Sequence, residues 1–147
     1  DRLRSRGLGD VYKRQVMERT DLFLVDLKHM DSGSHRRFTG VPNERILSNL
    51  RMIAEAGIDF LIRIPLIEGV NADEENISRS AIFLASLPWE RKVVNLLPYH
   101  DIGKGKHDKR GTLYNPGHLP LSTPSEAVLQ RCIDQFASCG ITALIGG

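Results

Sequence analysis

Short apolar runs alternate with segments of helical periodicity, and this alternation restricts the possible folds more than any other feature of the chain. Four apolar runs predict buried strands: 22–28 (LFLVDLK), 59–67 (DFLIRIPLI), 92–99 (KVVNLLPY) and 141–145. Three segments between them predict amphipathic helices: 43–56, 71–87 and 123–139. Buried strands joined by helices form right-handed parallel crossovers, so the sequence predicts an α/β fold.

Local signals set the expected ends of these helices. Gly57 can close the first helix in a left-handed turn, Asn71 is interpreted as the N-cap of the second, and Thr123 begins a capping box with Pro124 at the first helical position. The connections 30–42, 68–71 and 101–121 are predicted as loops. Three or four such units are too few to close a barrel and would leave an open strand edge, so further strands are expected upstream.

The first fifteen residues do not share this pattern. They are polar, include four arginines and one lysine, and lack periodicity and an initial methionine. Residues 10–15 (DVYKRQ) match a translated transposon-adaptor tag, so we interpret 1–15 as a non-native segment and 16–147 as one domain. The alternative is a native basic arm.

Composition excludes several classes of function. The formal net charge is +2 with 26% charged residues, which gives no overall field demanding nucleic acid or an anionic membrane. The chain has only two cysteines, Cys132 and Cys139, a usage typical of a reducing cytosol. Neither a membrane-spanning run nor a signal peptide is recognisable, and a cytoplasmic location is expected.

Polar residues at or near the carboxyl ends of three predicted strands are the candidate site. These are Asp26, Lys28, Arg63 and His100. Charges that end an apolar strand often mark only its entry into water, and His100 could be an ordinary loop histidine. Arg63 is stronger evidence, because it interrupts an apolar strand between two isoleucines and its permanent charge requires an anionic partner. Together the set could bind a carboxylate, a cation and a hydroxyl group.

Three ordered motifs accompany these residues. They are 26–31 (DLKHMD) with His35, Thr39, Gly40 and Asn43; 62–65 (IRIP) with 69–71 (GVN); and 96–100 (LLPYH) with Gly103 and Lys106. In this order they resemble the carboxyl-terminal half of the glycyl-radical-enzyme activating enzymes, a pyruvate formate-lyase activating enzyme-like family of the radical S-adenosylmethionine superfamily. The resemblance implies the carboxyl-terminal portion of a partial (β/α)6 TIM-like barrel.

The resemblance also implies cofactors and roles. Asp26 matches an aspartate that holds a monovalent cation beside the S-adenosylmethionine carboxylate, and Lys28 a lysine that binds the methionyl end. Arg63 matches an arginine at the same cofactor, and His100 a histidine near the adenosine. The implied oxidoreductase reaction is reductive cleavage of S-adenosylmethionine by a 4Fe-4S cluster. The resulting 5'-deoxyadenosyl radical installs a glycyl radical on a partner enzyme, with an electron donor such as flavodoxin or ferredoxin.

One requirement of that family is missing from the sequence. A 4Fe-4S cluster that binds S-adenosylmethionine needs three thiolates from a CxxxCxxC loop, and the chain contains no such triplet. The chain alone is therefore expected to be inactive. Two alternatives remain open: a barrel-type lyase or aldolase with Lys28 as a Schiff-base amine, which a nearby Asp26 disfavours, and a phosphate or nucleic-acid binder built on the basic segment 103–110.

Overall fold

The computed structural model describes residues 22–100 and 121–146, which form four strands and four helices. The strands are β1 (Phe23–Asp26), β2 (Phe60–Leu66), β3 (Val93–Pro98) and β4 (Thr142–Ile145). The helices are α1 (Ser32–Thr39), α2 (Glu44–Glu55), α3 (Glu74–Ala85) and α4 (Glu126–Ala137). The interpretation of residues 1–15 and the basic segment 103–110 lie outside this description.

The four strands form one parallel sheet in the order β1-β2-β3-β4. Each strand pairs with the next strand along the chain, with helices in the connections wherever the chain is described, as βαβ crossovers require. The α/β prediction is confirmed. All four carboxyl ends consequently lie at one edge of the sheet.

The two faces of the sheet differ in burial because side chains alternate along a strand. In β2, Phe60, Ile62, Ile64 and Leu66 are buried, and they pack in the main core with apolar residues of α2, α3 and α4. The alternate residues Leu61, Arg63 and Pro65 point to the other face and are only partly buried. We call this second surface the open face.

The open face is apolar as well as polar. Leu24, on β1, is 53% exposed and is paired in register with Leu61, while Leu144 on β4 is 49% exposed. Large exposed side chains on a sheet face normally mark a surface that another element covers. Such a surface is the inner wall of a barrel when further strands complete it.

Helix starts depend on capping side chains, and two of the predicted starts are wrong. The carboxylate of Asp73, not Asn71, accepts the hydrogen bond from the N–H of Asn76 and begins α3. The hydroxyl of Ser125 caps α4 through the N–H of Val128, two residues later than the capping box at Thr123 predicts. In both cases the capping side chain lies three residues before the amide that it binds. The left-handed turn at Gly57 is confirmed by its φ of 76°.

The segment 30–42, predicted as a loop, contains the whole of α1. Asp31 caps this helix through the N–H of Ser34 at 2.8 Å, and Gly40 ends it with a φ of 90°. Its sequence (SGSHRRFT) has little apolar periodicity, and in the folded protein only His35 and Phe38 of this helix are buried. The helix is consequently specified mainly by its caps and by two contacts with the rest of the fold.

At the opposite, amino-terminal edge of the sheet, an aromatic pair closes the core. The ring of Trp89 stacks on Phe60 with centroids 4.8 Å apart, and its Nε1–H donates to the backbone oxygen of Phe60. An ion pair between Arg91 and Asp59 at 2.6 Å lies at the same edge, and the hydrogen bonds from Arg91 lower the pKa of the Asp59 carboxyl. This edge therefore has a structural role.

Candidate functional site

Asp26 and Arg63 face each other at the carboxyl edge of β1 and β2. The two residues are paired in register, and Nε of Arg63 donates to Oδ1 of Asp26 at 2.8 Å. Their side chains are 31% and 40% exposed on the open face. Asp26 is thus the anionic partner that the sequence required for Arg63, and both charges remain accessible to a ligand.

Lys28 lies two residues beyond β1, in the loop that leads to α1. The ion pairs within the described residues join Asp26 to Arg63, Asp31 to Arg79 and Asp59 to Arg91, and none of them includes Lys28. Strand β1 ends at Asp26, so it is shorter than the predicted run 22–28. The backbone of Lys28 is nevertheless fixed, because its carbonyl oxygen accepts a hydrogen bond from Nδ2 of Asn71 at 2.9 Å.

Asn71 holds the ends of β1 and β2 together. Besides the bond to Lys28, its Nδ2 donates to the oxygen of Pro65 at 2.6 Å, and its Oδ1 accepts from the N–H of Ile67 at 2.8 Å. The residue is 2% exposed, and the residues whose backbone groups it contacts are buried or partly buried. One side chain therefore satisfies three backbone groups from two neighbouring strand ends.

Two further buried asparagines extend this network. Oδ1 of Asn76 accepts from the N–H of Met30 at 2.8 Å while its Nδ2 donates to the oxygen of Asn71 at 2.8 Å. Nδ2 of Asn43 donates to the oxygens of His29 and Met30. The loop that contains Lys28 is thus tied to the amino-terminal ends of α2 and α3, which gives the open carboxyl edge a rigid support.

His29 connects the same two loops and is held as a neutral ring. Its Nδ1 accepts from the N–H of Asp31 at 3.0 Å, so the ring proton lies on Nε2, which donates to the oxygen of Val70 at 3.1 Å. Burial lowers the pKa of His29, although nearby Asp73 and Asp31 oppose this effect.

His100 is exposed and follows β3 by two residues, at the same edge of the sheet as Asp26, Arg63 and Lys28. On the open face between them, Asn95 is paired in register with Arg63 and donates through Nδ2 to the oxygen of Gly146 at 2.9 Å. The structure brings Asp26 and Arg63 into contact and places Lys28 and His100 at the same edge. Their cofactor roles remain predictions.

The two cysteines do not fit an iron–sulfur cluster. Cys132 is fully buried in α4, and burial raises the pKa of its thiol, so the side chain is kept protonated in the core. Cys139 is partly buried two residues beyond the same helix. Across residues 22–100 and 121–146 there is no group of three metal-binding side chains.

The asparagines and His35 are the residues that sequence reasoning missed as parts of the site. Asn43 and Asn71 were assigned to helix starts, and His35 appeared only as a member of a motif. The available signal was weak: a polar side chain within an otherwise apolar stretch, such as Asn76 beside Ile77, indicates that its amide groups have buried partners.

The structure also bears on the alternative functions. The sequence disfavours a Schiff-base role for Lys28 because Asp26 lies nearby. In the structure the carboxylate of Asp26 pairs with Arg63 and not with Lys28.

None of the helices in the described part of the chain combines the length and apolar character needed to cross a bilayer.

Comparison with known proteins finds solved structures with a similar fold. No protein-family model matches the chain. The fold is similar to a radical S-adenosylmethionine methyltransferase from Sphaerobacter thermophilus, with a TM-score of 0.58 at 22% identity, covering 85% of this chain and 33% of the other. It is also similar to a domain of pyruvate-formate lyase-activating enzyme from Bacteroides vulgatus, with a TM-score of 0.73 at 43% identity, covering 99% of this chain and 92% of that domain.

Curated relatives agree with this likeness. The chain is 40% identical over 136 residues to the trans-4-hydroxy-L-proline dehydratase activating enzyme of Clostridioides difficile, covering 92% of this chain and 44% of the relative. It is 39% identical over 121 residues to the choline trimethylamine-lyase activating enzyme of Oleidesulfovibrio alaskensis, covering 79% and 38%. The chain thus belongs to the family of glycyl-radical-enzyme activating enzymes, and it spans less than half the length of these curated relatives.

Proposed function

We propose that this chain supplies the carboxyl-terminal part of the S-adenosylmethionine site of an activating enzyme that acts on a glycyl radical enzyme. The observation that carries the proposal is the Asp26–Arg63 pair, which lies in register on the open face at the carboxyl edge of the sheet. Ligands of parallel α/β sheets bind at this edge. Membership of the family supports the choice of cofactor.

The residues fit the carboxylate end of that cofactor. Arg63 uses Nε for Asp26, and no described residue hydrogen-bonds to its two terminal nitrogens, which can form a forked contact with a carboxylate. With Lys28, the three residues carry one net positive charge, which suits one carboxylate. Asp26 can in addition hold a monovalent cation between its second oxygen and the ligand.

The contribution of this chain is binding and orientation. The cofactor and its cluster supply the radical chemistry in the whole enzyme. Arg63 and Lys28 hold the methionyl carboxylate directly and Asp26 holds it through a monovalent cation, His100 contacts the adenosine side, and Asn71 keeps the two strand ends at a fixed separation. The glycyl radical enzyme partner and an electron donor such as flavodoxin or ferredoxin are part of the same proposal.

Binding measurements in a parent protein that includes the upstream half test the assignment. Replacing Asp26 or Lys28 with alanine should raise the Kd for S-adenosylmethionine about 10- to 150-fold, because a charge-assisted contact contributes roughly 1.5–3 kcal/mol. Asp59→Ala is the matched control, since it breaks a comparable ion pair with Arg91 at the opposite edge. Wild-type affinity in both site variants, or an equal loss in the control, would refute the proposal.

A second experiment concerns the chain as it stands. Anaerobic reconstitution with iron and sulfide should yield no stoichiometric cluster and, under a strong reductant, no 5'-deoxyadenosine, because two cysteines cannot supply three thiolates. A stoichiometric cluster together with product would show that the chain contains a cluster site that its sequence does not reveal.

A further inference from the structure

A small cavity lies between α1 and the loops that follow β1 and β2. Its volume is about 10 Å³, at the lower limit of what can hold one water molecule, and its apolar wall includes Phe38, Ile67 and Val70. Five polar residues also line it: Lys28, His29, His35, Thr39 and Asn71. The cavity therefore joins a residue of the proposed cofactor site to a buried histidine on α1.

His35 lines this cavity and has a buried hydrogen-bond acceptor without a described partner. The residue is 2% exposed, and its Nδ1 lies 2.6 Å from the oxygen of Val41. Because a carbonyl oxygen can only accept, the ring proton lies on Nδ1 and donates to Val41. Nε2 then has a lone pair, is buried, and has no partner among the described residues. Leaving such an atom without a donor is unfavourable in the protein interior.

We propose that the cavity binds a single water molecule that links His35 to Lys28. The water donates one hydrogen to Nε2 of His35 and accepts a hydrogen from the ammonium group of Lys28, a residue that lines the same cavity. Two protein partners fall within the range of about two to four that buried waters have.

The consequence is a positioning role for His35. A lysine side chain has many rotamers, and a water-mediated contact restricts them while leaving two N–H groups of the ammonium for a ligand. This part of the inference rests on the proposed function, because it assumes that Lys28 binds the cofactor carboxylate. The water site itself depends only on residues of this chain.

A high-resolution crystal structure of the chain tests the water site. We expect density for one water within about 3.2 Å of both Nε2 of His35 and Nζ of Lys28. Long-range ¹H–¹⁵N NMR spectra should show the proton of His35 on Nδ1. A dry cavity, a water that does not contact Lys28, or a proton on Nε2 would overturn the inference.

Variants separate positioning from folding. His35→Phe should remove the water and lower the NMR order parameter of the Lys28 ammonium group, whereas Arg36→Gln, on an exposed position of the same helix, should change neither. If His35→Phe does not fold, Lys28→Met provides the second measurement, since loss of one partner should lower the occupancy of the water. Full occupancy in Lys28→Met would count against a link between the two residues.

Cofactor binding distinguishes this inference from the proposed function. In the parent protein, His35→Phe should raise the Kd for S-adenosylmethionine roughly 2- to 12-fold, the effect of immobilising one long side chain. If the water is present but Asp26→Ala and Lys28→Ala both leave affinity unchanged, the proposed function fails and the water site stands. If the water is absent while Lys28→Ala weakens binding, the inference fails and the proposed function stands.

Discussion

Replacing Asn71 with aspartate tests whether one side chain holds the ends of β1 and β2 together. The substitution keeps the shape and keeps an oxygen for the N–H of Ile67. It also replaces the Nδ2 group with a carboxylate oxygen that faces the carbonyl oxygens of Lys28 and Pro65, at 2.9 and 2.6 Å in the native contacts. Two hydrogen bonds are lost and two repulsive contacts appear in a buried site.

The expected loss of stability is large. A buried polar group left without its partner costs about 1–3 kcal/mol, so two such groups lower the free energy of unfolding by roughly 2–6 kcal/mol at pH 7.5. This is a substantial fraction of the total stability of a typical domain, about 5–15 kcal/mol. Urea unfolding followed by the fluorescence of Trp89, the only tryptophan, measures the change.

The loss should depend on pH. In the unfolded chain the new carboxyl titrates near pH 4, whereas burial against carbonyl oxygens raises its pKa in the folded protein. The folded state consequently binds more protons between the two pKa values, and the protonated acid can again donate one hydrogen bond. The difference in stability from wild type should therefore shrink as the pH falls from 7.5 to 5 and grow as it rises.

A matched substitution controls for the added charge. Asn49→Asp places the same group at an exposed position of α2, where the expected change is within about 0.5 kcal/mol at either pH. A loss below about 1 kcal/mol for Asn71→Asp, or a loss that is the same at both pH values, would contradict the role we assign to this network.

Three further outcomes are expected. Burial lowers the pKa of His29, so the stability that its neutral ring contributes is present above the unfolded pKa, near 6.5, and is lost as the pH falls through the folded pKa. His29→Gln should therefore reduce the decline in the free energy of unfolding between pH 7 and 5. An unchanged slope would exclude this contribution. Cys139 should react with a thiol reagent in the native protein while Cys132 reacts only on unfolding, and equal native rates would contradict the buried, protonated state of Cys132. Replacing Leu24 and Leu144 with lysine should lower binding of a hydrophobic dye to the chain, and unchanged dye fluorescence would mean that this face is covered.

Much of the fold could be read from local patterns. The apolar runs gave all four strands to within two residues at each end, and the stripes of α2, α3 and α4 gave three of the helices. The need of Arg63 for an anionic partner was also visible, because a guanidinium within an apolar strand cannot lose its charge. These features depend on residues that are close together in the chain.

The missed features depend on partners that are distant in the chain. Helix α1 buries only two side chains, so it has too little periodicity for a sequence-based prediction. Asn71 was predicted as a helix cap because asparagine commonly has that role, but Asp73 takes it and leaves the amide to the strand ends. Residue propensity could not decide whether Asn71 caps the helix or binds the strand ends, because either arrangement gives its buried amide hydrogen-bond partners.

The sequence by itself determined that this chain is an α/β domain of the activating-enzyme family with Asp26, Lys28, Arg63 and His100 at strand ends. It did so because strand and helix periods are local and the motifs lie in the sequence. Only the tertiary structure decided that Asp26 pairs with Arg63, and that Asn71 binds the carbonyl of Lys28, 43 residues away. It also decided that His35, whose Nε2 is buried without a described partner, lines one cavity together with Lys28. Contacts of this kind form when the strands pair into a sheet and bring distant loops together, and no local preference encodes them.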